Sequence, residues 1–280
     1  MKKSFLAASA LISSIFLGSA DATAADVKLY TLDCGDIHMK DLAIFAKDGE
    51  FNGRDNQAGD ACFVVKHPTK GTLLWDTGLP KAIKDLPEGM SVPGFHISLK
   101  KSIQDQLAEI GMSEQDIDYV SISHSHFDHV GNLNDFAGSK WIVHENEYAY
   151  MFSDAARAQA QTFSAYDKME NAEKITFTGD HDVFGDGSVT ILSMPGHTPG
   201  HTTLLVNLEK EGPVLLTGDL YHLIDSRKLR TVPTFNTNAE DTLKSMDAFE
   251  AKAKELGARV VIQHEKKDTG ALPKLPGYLD

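Results

Sequence analysis

Short β-branched and aromatic runs, each bounded by turn residues, fill the first part of the chain at residues 27–32, 42–46, 62–66 and 72–75. Their length and bounding predict strands. From residue 97 to 110 the period changes: Leu99, Ile103, Leu107 and Ile110 recur at helical spacing, and Gly111 supplies a stop, so one amphipathic helix is predicted. Strand patterns return at 119–123 and 141–143, and an Ala- and Gln-rich stretch over 154–165 reads as helical. Four more strands are predicted at 175–177, 189–194, 202–208 and 214–216. Asn238 then caps a helix whose buried face is Leu243, Met246, Phe249, Ala253 and Leu256, and Gly257 ends it. A last strand, 259–262, runs into Gln263 and His264.

Strands therefore come in runs on either side of a helical middle. Two sheets between outer helices fit that order better than a doubly wound sheet, so the fold class is α+β. A faint internal echo points the same way. Leu73-Leu74-Trp75-Asp76-Thr77-Gly78 and Leu215-Leu216-Thr217-Gly218-Asp219 are each a strand pattern ending in an acid-bearing glycine turn.

The N-terminal segment has a different character. Lys2 and Lys3 precede an apolar run from Phe5 to Leu17, and small residues follow at Ala20, Ala22, Ala24 and Ala25. This is the pattern of a secretory signal peptide cut after Ala24, which leaves 25–280 as one domain, exported to the periplasm or secreted. The run is well short of the roughly 20 residues a membrane span needs, so no membrane span is expected. An oxidising compartment would permit a disulfide between Cys34 and Cys62, both near predicted strand ends; two buried reduced thiols are the other reading.

Composition adds one exclusion and one pointer. Forty acidic against 27 basic side chains give a net charge of −13, which argues against nucleic acid as a partner and toward a small molecule. Twelve His against two Cys raise the question of how the His are arranged. The answer is His124-Ser125-His126-Phe127-Asp128-His129. In an extended segment His124, His126 and Asp128 share a face, and His129 breaks the alternation toward a second point. Imidazoles and carboxylates at that density are ligands for borderline divalent metals. Further candidates each follow a predicted strand: His197 and His201 in Pro195-Gly196-His197-Thr198-Pro199-Gly200-His201, Asp219, and His264. Five His and two Asp suffice for two metals if one carboxylate bridges.

This set resembles the metallo-β-lactamase superfamily, whose signature is HxHxDH followed by a distant His, Asp and His. Its flanking residues, through Gly218-Asp219-Leu220-Tyr221-His222, are most similar to the N-acyl-homoserine lactonases, the quorum-quenching enzymes. The resemblance implies an αββα four-layer sandwich and two divalent metal ions, with Zn²⁺ expected. His124, His126 and His197 would hold the first ion, Asp128, His129 and His264 the second, and Asp219 would bridge. Asp76 would organise the HxHxDH loop, and His201 would support the ligands from outside the set. In those lactonases a Tyr three positions after the bridging Asp points at the substrate carbonyl. Here Tyr221 stands at plus two and His222 at plus three. Either Tyr221 reaches the site by a different turn or His222 takes the polar role, and a packing role for Tyr221 is equally open.

The implied reaction opens the ring of an N-acyl-homoserine lactone by attack of a hydroxide bridging the two ions, with the leaving oxygen protonated through water or Asp128 and Tyr221 aiding at the carbonyl. Met90, Phe95, Met151 and Phe152 are candidates for an acyl-chain groove, although core packing suits each of them better. A β-lactamase, thioesterase or phosphoester hydrolase on the same fold is the alternative, and a non-catalytic metal-binding protein a further one. The sequence leaves the oligomeric state open, a homodimer included.

Overall fold

A computed structural model describes residues 26–280; the expected leader, 1–24, lies outside the described residues. Among the described residues no helix is long and apolar enough to cross a membrane. Eight strands form the first sheet: β1 (Lys28–Met39), β2 (Asn56–His67), β3 (Gly71–Trp75), β4 (Met90–Val92), β5 (Phe95–Ser98), β6 (Tyr119–Ser121), β7 (Lys140–His144) and β8 (Lys174–Phe177). Their spatial order is β4-β5-β1-β2-β3-β6-β7-β8. The second sheet holds β9 (His181–Asp182), β10 (Val189–Ser193), β11 (Thr202–Leu208), β12 (Gly212–Leu216) and β13 (Arg259–Val261), in the order β13-β12-β11-β10-β9.

Side-chain alternation along the central strands explains the layers. Phe63 and Val65 of β2, with Leu73 and Trp75 of β3, meet Ile191, Leu204, Val206, Val214 and Leu216 of the second sheet in one buried cluster. The intervening Val64 and Leu74 pack outward on Ile103 and Leu107 of α1 (Ile103–Glu109), Val130 of α2 (Phe127–Val130) and Met151 of α3 (Glu145–Met151). Strands buried on both faces read as continuous apolar runs, which is how β2 and β3 appear. Two short helices follow, α4 (Asp154–Ala158) and α5 (Ala160–Phe163), then α6 (Ile224–Leu229), α7 (Ala239–Leu256) and α8 (Lys266–Thr269). Met246, Phe249 and Ala253 of α7 cover Leu205 and Leu215 on the outer face of the second sheet. Helix, sheet, sheet and helix are thus the four layers.

Several predicted elements take another form. Residues 42–46 are not a strand: Asp41 accepts the Ala43 amide (2.9 Å) and starts a 3-10 turn over Leu42–Phe45, which buries Leu42 and Phe45 on one side. The predicted helix over 97–110 divides. Its first part is β5, and Ser102 starts α1 afresh through a capping box with Asp105. Within 154–165, Gln159 separates α4 from α5, while α3, β4, β5 and β9 had no clear sequence signal. Leu243 points outward from α7 rather than into its buried face. Cys34 and Cys62 form a disulfide between β1 and β2, at a bulge where the register shifts between Asp33 and Gly35.

Candidate metal centre and active site

Two parallel strand pairs bring the chemistry to one edge of the sandwich. β3 runs beside β6 and β12 beside β13, so the chain leaves each pair at the same carboxyl end. The exits match in detail. Asp76, just past β3, donates its amide to Ser121 O (2.9 Å), and Thr217, just past β12, donates to Val261 O (3.1 Å). The internal echo in sequence therefore corresponds to two equivalent turns, one carrying Asp76 and the other Asp219. Gly218 makes the second turn possible: at φ +50° a Cβ would lie 2.7 Å from Ser123 Cβ and 2.8 Å from His201 Nε2.

The segment after β6 is extended only as far as His126. His126 caps α2, so Asp128 and His129 sit on a helical turn and Asp128 does not share the face of His124 and His126. That corrects the alternation reading, and the reason is local: the helix starts two residues too early for the period to persist. The resulting groups are His124, His126, His197 and Asp219, and Asp128, His129 and His264, with candidate ligand atoms in each within 4.8 Å of one another. Asp219 joins the two. Its Oδ2 lies 3.6 Å from the Nε2 of both His124 and His197, and its Oδ1 lies 3.3 Å from His129 Nε2 and 2.9 Å from His264 Nε2.

Whether this arrangement suits metal ions can be judged from its unsatisfied atoms. His129 Nε2, His264 Nε2 and Asp219 Oδ1 are buried and have no partner in hydrogen-bonding geometry, although they crowd together. Buried polar atoms left so are rare and call for an ion or another ligand at their common focus. Donor chemistry agrees, since imidazole and carboxylate are what divalent borderline ions take.

The rings are also held from behind. His129 Nδ1 faces Asp76 Oδ2 at 3.0 Å, His197 Nδ1 faces Asn236 Oδ1 at 2.8 Å, and His264 Nδ1 faces the Gly59 carbonyl at 2.8 Å. Such contacts fix ring orientation and leave Nε2 for the centre. Asp76 is fully buried with a left-handed φ of 61°, and also accepts the Ser123 amide (2.6 Å) and the Gln263 side-chain amide (2.9 Å). His201 lies outside both groups. Its Nδ1 donates to Met194 O (3.0 Å), and its Nε2 accepts the Asp219 amide (3.0 Å).

Electrostatics divide the rings. Burial, reinforced by neighbouring imidazoles, holds His124 and His197 well below the usual imidazole range, and burial also lowers His126. Burial opposes charge on His264 too, but the Asp219 and Asp128 carboxylates outweigh it and push that ring up to about 10. For Asp219, burial favours the neutral acid, and the surrounding imidazoles reverse this to hold it well below the usual carboxylate range.

Above the centre is a cavity of about 310 Å³ whose floor is His126, Asp128, Asp219, His222 and His264. Its walls are apolar, among them Ile37, Met39, Phe45, Phe95, Phe127 and Phe235. His222 has its Nε2 3.0 Å from Asp219 Oδ2. Tyr221 faces away: its phenol donates to Glu250 (3.0 Å) and its ring packs with Phe249 under α7. The expected Tyr221 contact at the reacting carbonyl is thereby corrected. Of the four groove candidates, Phe95 alone lines the cavity; Met90 is exposed on β4, and Met151 and Phe152 belong to the helix-side core. Sequence reading missed Asn236, Glu147 and Phe235. The only trace of Asn236 was its place two residues before the Asn238 cap, and Glu147 lay in an unpredicted helix.

The family model for the metallo-beta-lactamase superfamily matches residues 59–264. The N-acyl homoserine lactonase AttM of Azorhizobium caulinodans is 30% identical over 267 residues, covering 91% of this chain and 99% of that protein. Two solved structures share the fold. An N-acyl homoserine lactone hydrolase with the product N-hexanoyl-L-homoserine at its catalytic metal center superposes with a TM-score of 0.74 at 23% identity, covering 90% of this chain and 98% of that one. AidC, a dizinc quorum-quenching lactonase in complex with a product, gives 0.64 at 18%, covering 91% and 94%. With the signature residues gathered at one sheet edge and the family model spanning most of its length, this chain belongs to the metallo-beta-lactamase superfamily.

Proposed function

We propose that this protein is a quorum-quenching lactonase that opens the lactone ring of N-acyl homoserine lactones, using two divalent ions, Zn²⁺ by preference. The observation that carries the substrate is the cavity: apolar walls, a His/Asp floor, and no Lys or Arg among its lining residues. Such a site favours a molecule with an apolar arm and a polar head at the floor, and no Lys or Arg side chain lines the walls to steer a second anionic group of a β-lactam or a phosphodiester. The relatives named N-acyl homoserine lactonase support the same reading.

His124, His126 and His197 would hold one ion, Asp128, His129 and His264 the other, with one Asp219 oxygen turned to each group. When bound, such ions lower the pKa of water to about 7 and polarise an ester carbonyl. The protein's own residues supply the rest. His222, on the cavity floor with its Nε2 3.0 Å from Asp219 Oδ2, would turn that nitrogen to the carbonyl oxygen when Asp219 is committed to the ions, in the role left by Tyr221. Asp128, also on the floor, is placed to pass a proton through water to the leaving alkoxide. Phe45, Phe95, Phe127 and Phe235 exclude water and bind the acyl chain.

The leader-like N-terminus supports export to the periplasm or beyond, where the Cys34–Cys62 bridge would persist. Ring opening releases a proton, so a pH-stat assay with acyl-homoserine lactones of several chain lengths, a cephalosporin, a thioester and a phosphodiester tests the proposal. Chelator-sensitive turnover of the lactones is expected. Lactones left closed while another substrate turns over would sink it.

A further inference from the structure

Glu147 is the third residue of α3, on the helical layer outside the first sheet, and is only 1% exposed. A carboxylate so deeply buried is costly unless every oxygen is bonded. Here both are, and to two different loops. Oε1 accepts the Ser125 amide (2.8 Å), and Oε2 accepts the Thr198 hydroxyl (2.7 Å) and the Gly200 amide (3.0 Å). Ser125 is the residue between His124 and His126. Thr198 and Gly200 lie between His197 and His201, on the loop joining β10 to β11 of the second sheet.

The contact is tight as well as bonded. A Cβ on Gly200 would lie 2.7 Å from Glu147 Cβ, so only glycine lets the loop approach this closely. The same loop carries His201, whose Nε2 holds the Asp219 amide (3.0 Å). One side chain thus sets the spacing between the loop carrying His124 and His126 and the loop carrying His197. By contrast, the ligand rings of the other group are fixed by Asp76 and Gly59.

We propose that Glu147 is a positioning residue for the three-histidine metal position, acting through the Ser125 and Thr198–Gly200 backbone and not on the reacting atoms. The inference rests on the dinuclear reading above. Two of its donors are backbone amides, which cannot accept, so only a carboxylate satisfies both loops. In Glu147→Gln one amide-bearing end must face an N–H donor whichever way the group is turned, and one loop is released.

The test is titration of metal-stripped full-length protein with Co²⁺, followed by its visible absorption, with circular dichroism and thermal melting as the check on folding. Wild type should take two ions per chain. Folded Glu147→Gln should bind the ion at the three-histidine position about 10-fold or more weakly, with the second position unchanged. A general packing role would lower the melting temperature without that selectivity. If Glu147→Gln does not fold, Thr198→Val, which removes one donor, should give a smaller loss at the same position. Either variant folding with two wild-type affinities, or losing both positions equally, overturns the proposal. A wild-type chain that takes up no ion overturns instead the dinuclear reading on which it rests.

Discussion

Tyr221 and His222 are neighbours in the chain and opposites in space. Tyr221 has extended backbone (φ −138°, ψ 128°), so consecutive side chains point to opposite sides, one to Glu250 under α7 and the other to the cavity floor. Tyr221→Phe should therefore cost about 1 kcal/mol of stability, the worth of one hydrogen bond, and leave lactone turnover within about twofold. His222→Gln should lower kcat about 10-fold or more through loss of an aligned imidazole at the carbonyl. Steady-state kinetics on the purified variants decide; an equal loss from both would return Tyr221 to the site. Residue types and spacing made the HxHxDH cluster and the later His and Asp legible. Which side of a turn each side chain takes was not, because that depends on backbone angles, here the extended φ and ψ of Tyr221, which residue types do not reveal.

Elements were legible where one face alone is buried, as in α7, and illegible where tertiary contacts divide a continuous pattern. Ile97 and Leu99 pack with Phe45 and Leu79, whereas Ile103 and Leu107 pack with Val64 and Val120, so one apparent helical stripe serves two cores. Ser102 makes the break, and the structure of its cap yields a pH dependence. The Lys84 ammonium, together with the Ser102 amide and hydroxyl, lowers the exposed Asp105 carboxyl from its ordinary 3.8 to about 2. A depressed folded-state pKa adds stability that is full above the ordinary value and fades as pH falls through the depressed one. Ser102→Ala should melt lower than wild type by the equivalent of about 1 kcal/mol near neutrality. That gap should shrink below about pH 4, since acid removes part of the cap from wild type as well. Thermal melts of both proteins across that range would show it, and a gap constant with pH would refute the role given to Asp105.

At the scale of the molecule, the layers were announced by runs of strands on either side of a helical middle, and the two-sided burial of β2 and β3 agrees with them; the order of strands within each sheet was not announced, and the edge strands β4 and β9, short and half-exposed, announced nothing. The Cys34–Cys62 bridge spans 28 residues of the first sheet. Closing a loop of that size stabilises by about 3 to 4 kcal/mol through the unfolded chain, so a reductant should move the denaturant midpoint down accordingly. An unchanged midpoint would mean the thiols are not bridged in solution. The centre has a larger reach. Each group of ligands draws on both sheets: His124 and His126 follow β6 while His197 follows β10, and Asp128 and His129 follow β6 while His264 follows β13. Neither half of the chain can assemble a complete set by itself. Ion capture is then a late checkpoint in refolding, timed by the docking of one half on the other, and a stopped-flow trace of metal uptake would serve as a clock for that joining.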